Sequence, residues 1–183
     1  MSQPTPSDSA FRVADLAQNR ASAFEIRPNA EVLRSIAETL GLSAIRKLRF
    51  EGVVEAVGKT DWRLKGKLGA TVVQPCTVTL EPVLTRIDAP VERMFLKNIP
   101  EIMEEEIEMP EEEGIEVLGP YIDPEFVMLE ALSLEVPDFP RADGAALDRT
   151  VFTAPGQAPM TDEDARPFAG LAALKDQLEQ KPE

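Results

Sequence analysis

Two hydrophobic rhythms alternate along this chain. Between residues 30 and 40 the apolar positions Val32, Leu33, Ile36 and Leu40 recur at helical spacing. Asn29 stands where an N-cap belongs, behind Pro28, and Gly41 where a left-handed C-cap belongs. The pattern predicts an amphipathic helix over 30–40. From Ala44 to Lys97 the period falls to two. Leu48, Phe50, Gly52, Val54 and Ala56 share one face of a first strand, and Gly58-Lys59-Thr60-Asp61 supplies a turn. Trp62, Leu64, Gly66, Leu68, Ala70 and Val72 then face one way, with Arg63, Lys65 and Lys67 on the other side. The pair is expected to form a β-hairpin. Further strands are expected over 76–81, 83–89 and 91–97, the last re-aimed by Pro90. A second helix opens at Asp123-Pro124, a cap followed by proline at the first helical position. Its apolar stripe is read as Phe126, Val127, Leu129, Leu132 and Leu134, and Val136-Pro137 ends it.

The remaining segments lack such periods. Residues 11–27 read as irregular or extended. Residues 98–116 are acidic and interrupted by Pro100, Pro110 and Gly114, which predicts a solvated loop or a short helix. Residues 141–166 are rich in Ala, Pro, Asp and Gly and read as a flexible linker. A short amphipathic helix within 167–183 carries Phe168, Leu171, Leu174 and Leu178 on one face. The expected fold class is α+β: a curved antiparallel sheet of about four to six strands with two main helices. The domain plan is an extended segment 1–27, a core 28–140, the linker 141–166 and the terminal helix 167–183.

Composition narrows the chemistry. The chain has 183 residues and no histidine, which removes Ser-His-Asp and Cys-His catalysis and every His-containing zinc site. Its single cysteine, Cys76, excludes an internal disulfide. The Ser/Pro-rich start lacks the basic and apolar regions of a signal peptide, and no window approaches the roughly 20 apolar residues of a membrane span. A cytoplasmic, soluble protein without cofactor or metal is expected. The net charge of −14 conceals a split: residues 1–97 hold 14 Lys/Arg against 11 Asp/Glu, and residues 98–183 hold 5 against 22. The first half therefore has the charge to meet phosphate, and the second does not.

Three local signatures in this order carry a resemblance. The hairpin runs into Val73-Gln74-Pro75-Cys76-Thr77-Val78-Thr79-Leu80-Glu81-Pro82-Val83. Tyr121-Ile122-Asp123 precedes a Glu- and Leu-rich helix that ends in Val136-Pro137-Asp138-Phe139-Pro140. The chain then reaches Pro167-Phe168-Ala169-Gly170-Leu171-Ala172-Ala173-Leu174-Lys175. Together they resemble the YceD-like family over roughly 28–140 and 166–175. The resemblance implies a non-enzymatic role in accumulation of large-subunit ribosomal RNA. Family members occur in bacteria and plastids, often encoded beside a large-subunit ribosomal protein and lipid-synthesis genes. The family's usual cysteine pairs are missing: Thr79 takes the second position after Cys76, Val78 stands where Arg is frequent, and Arg141 and its neighbours replace the later pair. A four-thiolate metal site needs four soft ligands, so none is expected here.

The candidate binding residues are the cations Arg46, Lys47 and Arg49 on the first strand and Arg63, Lys65 and Lys67 on the second. An antiparallel pair brings these together, although Glu51 and Glu55 share the neighbourhood and polar-out alternation alone produces such a stripe. Phe168, Leu171 and Leu174 form a candidate docking face, on the chain itself or on a partner. Cys76 reads as a small buried strand residue with no basic neighbour to lower its pKa. The acidic run Glu104–Glu116 lacks any cation-loop motif and reads as a solvated surface. The leading expectation is a ribosome-assembly factor that binds large-subunit ribosomal RNA precursor or a ribosomal protein. The alternative is an adaptor linking a lipid-synthesis enzyme to ribosome production without RNA contact. A hydrolase or transferase would need a carboxylate pair that the sequence does not nominate.

Overall fold

A computed structural model of the chain describes residues 6–98, 114–146, 153, 154, 156–158 and 160. The chain divides into two compact units, Met1–Asp143 and Gly144–Glu183. All regular elements described lie in the first. In the second, the Gln157 N–H donates to the Ala154 carbonyl across a turn in which Gly156 takes φ +87°.

The first unit is organised by one long hairpin. Strands β1 (Phe11–Arg12) and β2 (Ser22–Ile26) precede helix α1 (Ala30–Thr39), which leads into β3 (Ala44–Val57) and β4 (Asp61–Pro75). Val57 pairs with Asp61, and Gly58 turns the chain at φ +66°. Strand β5 (Pro82–Leu96), short strands β6 (Ile115–Val117) and β7 (Tyr121–Ile122), and helix α2 (Pro124–Glu135) follow. The larger sheet has the order β2-β3-β4-β5-β6, and β1 pairs with β7 in a separate two-stranded sheet. The α+β class and both helices agree with the sequence pattern, cap for cap. Asn29 Oδ1 accepts from the Glu31 and Val32 N–H groups, and the Asp123 carboxylate from those of Glu125 and Phe126.

Four expectations need correction. The segment 76–81 is a turn, and 83–89 with 91–97 form one continuous strand, β5. Pro90 does not break it, because β6 pairs only with Met94–Leu96, and along the rest of β5 no further described strand needs an N–H from that side. The sheet is mixed, since β6 runs parallel to β5. Ile115–Val117, read as part of a loop or short helix, supplies that strand; residues 99–113 of the acidic stretch lie outside the described residues. Residues 11–27, read as irregular or extended, contain two strands and a 3-10 turn at Val13–Asp15.

The core lies on one face of the sheet. Phe50, Val54, Leu64, Leu68, Ala70 and Val72 are fully buried there, with Trp62 beside them, as period two requires. At its centre Gly52 pairs with Gly66. A Cβ on Gly52 would lie 2.1 Å from the Lys65 carbonyl oxygen, and one on Gly66 would lie 2.6 Å from the Phe50 ring. Two facing glycines therefore let the strands close on each other while Phe50 covers the gap, its ring 5.0 Å from that of Phe24. Helix α2 packs on this face through Pro124, Val127, Met128, Ala131 and Leu132. This i, i+3, i+4, i+7, i+8 stripe replaces the expected one, for Phe126 is 54% and Leu134 76% exposed. The helix is apolar on more than one side, so periodicity alone misassigned its buried face.

Candidate nucleic-acid interface

The sheet face away from the core is open and charged. On β2 and β3 it presents Glu25, Arg27, Lys47, Arg49, Glu51 and Glu55, and on β4 Arg63, Lys65 and Lys67. A bulge between Ile45 and Lys47 decides the position of Arg46. Strict alternation would turn Arg46 into the core beside Leu48. The extra residue shifts the phase, so Ile45 and Leu48 are both buried and Arg46 and Lys47 both exposed.

Cross-strand register separates the six candidate cations into two groups. Toward the hairpin turn, Glu55 pairs with Arg63, whose guanidinium lies 2.6 Å from that carboxylate and 3.8 Å from Glu92. Lys65 lies 3.7 Å from Glu92. These two cations are answered locally by carboxylates. At the other end, Arg46, Lys47, Arg49 and Lys67 line a basin of about 510 Å³ together with Arg27 and Arg86. Only two carboxylates, Glu51 and Asp88, line the same basin. Arg27 and Arg86 were missed in the sequence. Arg86 carried a signal, because Arg86 and Asp88 alternate with buried Ile87 and Ala89, but nothing in the linear order places β5 beside Lys67.

The basin is preorganised by its own ion pairs. Glu25 accepts from Arg27 and Arg49, and both guanidiniums hold its carboxyl below the usual range, Arg27 most strongly. Arg49 also contacts Glu51. Arg86 and Asp88 pair side by side, which lowers the Asp88 pKa and raises that of Arg86. Gly69 lies on this face between Arg49 and Asp88, and a Cβ there would come within 3.0 Å of the Arg86 guanidinium. The missing side chain makes the floor of the basin. Arg46, Lys47 and Lys67 form no ion pair among the described residues.

Cys76 is buried, but in the turn after β4 and not in a strand. Its sulfur accepts from the N–H groups of Val78 and Thr79, each at 3.4 Å, and from that of Ala142 at 3.3 Å. The Thr79 hydroxyl, followed by these N–H groups, pulls the thiol down to about 6 against opposing desolvation. Hydrogen bonds thus do what the sequence reading assigned only to basic neighbours. The turn is held by Leu80 at φ +63°, and by Thr77, whose N–H and hydroxyl both donate to the Pro140 carbonyl. Thr79 and the segment after Pro140 therefore flank Cys76 in space, where the resemblance places the family's other cysteines. They bring one thiolate and no second soft ligand, so a four-thiolate metal site does not fit. Among the described residues no group of three or more Cys, Asp or Glu side chains could hold a metal ion.

A second depression, of about 350 Å³, lies between β6 and the start of α2, where Val117, Tyr121 and Phe126 are exposed beside Glu116. Burial raises the Glu116 pKa. Phe168, Leu171 and Leu174 lie outside the described residues. No described helix is long and apolar enough to cross a membrane.

No curated protein and no solved structure matches the chain. One family model does, described as large ribosomal RNA subunit accumulation protein YceD, over residues 64–175. The match starts in β4, passes through the Cys76 turn and α2, and takes in the motif at Pro167–Lys175. It covers more than half of the chain, which therefore belongs to the YceD family.

Proposed function

We propose that this protein supports accumulation of large-subunit ribosomal RNA by binding, without chemistry of its own, and that the basic basin is where it meets RNA. One observation carries the reading: six cations against two carboxylates surround a single depression on an open sheet face. Clustered cations of this kind supply the counterion release on which phosphate binding depends. The predicted residues Arg46, Lys47, Arg49 and Lys67 are the contacts, joined by Arg27 and Arg86. Arg63 and Lys65 contribute less, since Glu55 and Glu92 already answer them. The absence of histidine from the whole chain supports a binding role over catalysis.

A second reading, a protein adaptor without RNA contact, is favoured by the apolar depression around Val117, Tyr121 and Phe126. Gradient sedimentation of cell lysate separates the two. The RNA reading expects co-migration with large-subunit precursors at low salt, release at high salt, and loss of co-migration in a Lys47→Ala/Lys67→Ala variant. A protein that stays at the top of the gradient at low salt overturns it and favours the adaptor.

A further inference from the structure

We infer that the ligand of the basin is base-paired RNA, held through its phosphates and sugars, and not a single strand read through its bases. This rests on the RNA reading above and concerns which form of RNA the site accepts. Two independent observations support it: the arrangement of the cations and the placement of the aromatic rings.

The cations form an array in two dimensions. Lys47 and Arg49 are alternate residues on β3, about 7 Å apart along the strand, and neighbouring strands lie about 5 Å apart. Lys47 stands opposite Thr71, which stands opposite Arg86; Arg49 stands opposite Gly69; and Lys67 stands one row further, opposite Glu51. Charge is thus spread over three strands. A flexible single strand is followed by cations in file along a groove. A patch with both length and width suits the fixed spacing of phosphates on a helical surface. The array is also stiff, since Arg49 is held between Glu25 and Glu51 and Arg86 is held by Asp88.

The face offers nothing for a base to stack on. Single-strand binders hold successive bases against aromatic rings, whereas duplex RNA is recognised by shape, phosphate and 2′-hydroxyl contacts. No aromatic side chain lines the basin. Phe24, Phe50, Trp62 and Phe95 are buried in the core on the opposite face of the sheet. The exposed aromatics of the described residues, Tyr121, Phe126 and Phe139, flank α2, and Tyr121 and Phe126 line the other depression. The Gly69 floor likewise leaves a shallow, uniformly polar surface.

The test uses the full chain and two fluorescently labelled RNAs of equal phosphate count: a hairpin with a stem of about 16 base pairs, and an oligouridine that cannot pair. Binding is followed by anisotropy over a series of salt concentrations. The hairpin is expected to bind about tenfold tighter or more, with no dependence on stem sequence. Lys47→Ala/Lys67→Ala, two exposed positions, should weaken hairpin binding and reduce the slope of log K against log salt by about two. Tyr121→Ala/Phe126→Ala should leave hairpin binding unchanged. Oligouridine binding as tight as the hairpin, or loss of binding in the aromatic variant alone, overturns the duplex inference while leaving RNA binding intact. Binding of neither RNA overturns the RNA reading itself.

Discussion

Cys76 is the only thiol in the chain, so its ionisation can be followed directly by ultraviolet thiolate absorbance. Its sulfur is enclosed, yet it receives three backbone N–H groups at 3.3–3.4 Å and the Thr79 hydroxyl, and its pKa falls from 9.0 to about 6. At neutral pH such a thiol is about nine-tenths ionised, where an ordinary one is only a few per cent ionised. Thr79→Val removes the largest contribution at nearly constant volume and leaves the three N–H donors in place. The titration midpoint of the variant should rise by about one unit, remaining below the ordinary value. The sign of the linked stability follows from the lowered folded pKa. The thiolate contribution is complete above the unfolded value near 9 and disappears as the pH falls through about 6. The stability difference between the wild type and Cys76→Ala should therefore shrink over that window in urea titrations. A wild-type midpoint between 8 and 9, or one that Thr79→Val does not move, would refute the hydrogen-bond argument.

Two further substitutions test the scaffold. Gly52→Ala places a methyl 2.1 Å from a backbone oxygen of the neighbouring strand and should cost about 3 kcal/mol or more in chemical denaturation. Gly69→Ala on the open face meets only the mobile end of Arg86 and should change stability by about 0.5 kcal/mol or less; equal losses in the two would contradict the face assignment. Asp123→Ala removes the cap of α2 and the acceptor that ties the Ser7 N–H and hydroxyl to the helix start, at 2.8 and 2.7 Å. A loss of about 2 kcal/mol is expected, with Asp123→Asn retaining much of the cap; an Ala variant as stable as the wild type would refute this role.

Local rules alone determined much of this protein. The period-two run from Leu48 to Val72 and the Gly58 turn specify the central hairpin, because alternation on a pleated strand assigns each side chain to a face before any partner is chosen. Asn29 and Asp123 mark both main helix starts, since a cap is satisfied by N–H groups two and three residues away. The Cys76 region and the closing motif carried the family resemblance. Other features depended on contacts between distant segments. The parallel pairing of Ile115–Val117 with β5 is a long-range choice that a short strand does not announce. The buried side of α2 was set by what the sheet presents to it, because a helix apolar on several sides has no single preferred face. The Ile45–Lys47 bulge moved Arg46 to the surface, and register alone brought Arg27 and Arg86 to Lys47 while leaving Arg63 and Lys65 to Glu55 and Glu92. Charge along the chain reports how many cations there are. Which of them remain available to an anion depends on which carboxylates the fold places beside them, because the interaction acts through space over a few ångströms, not along the sequence.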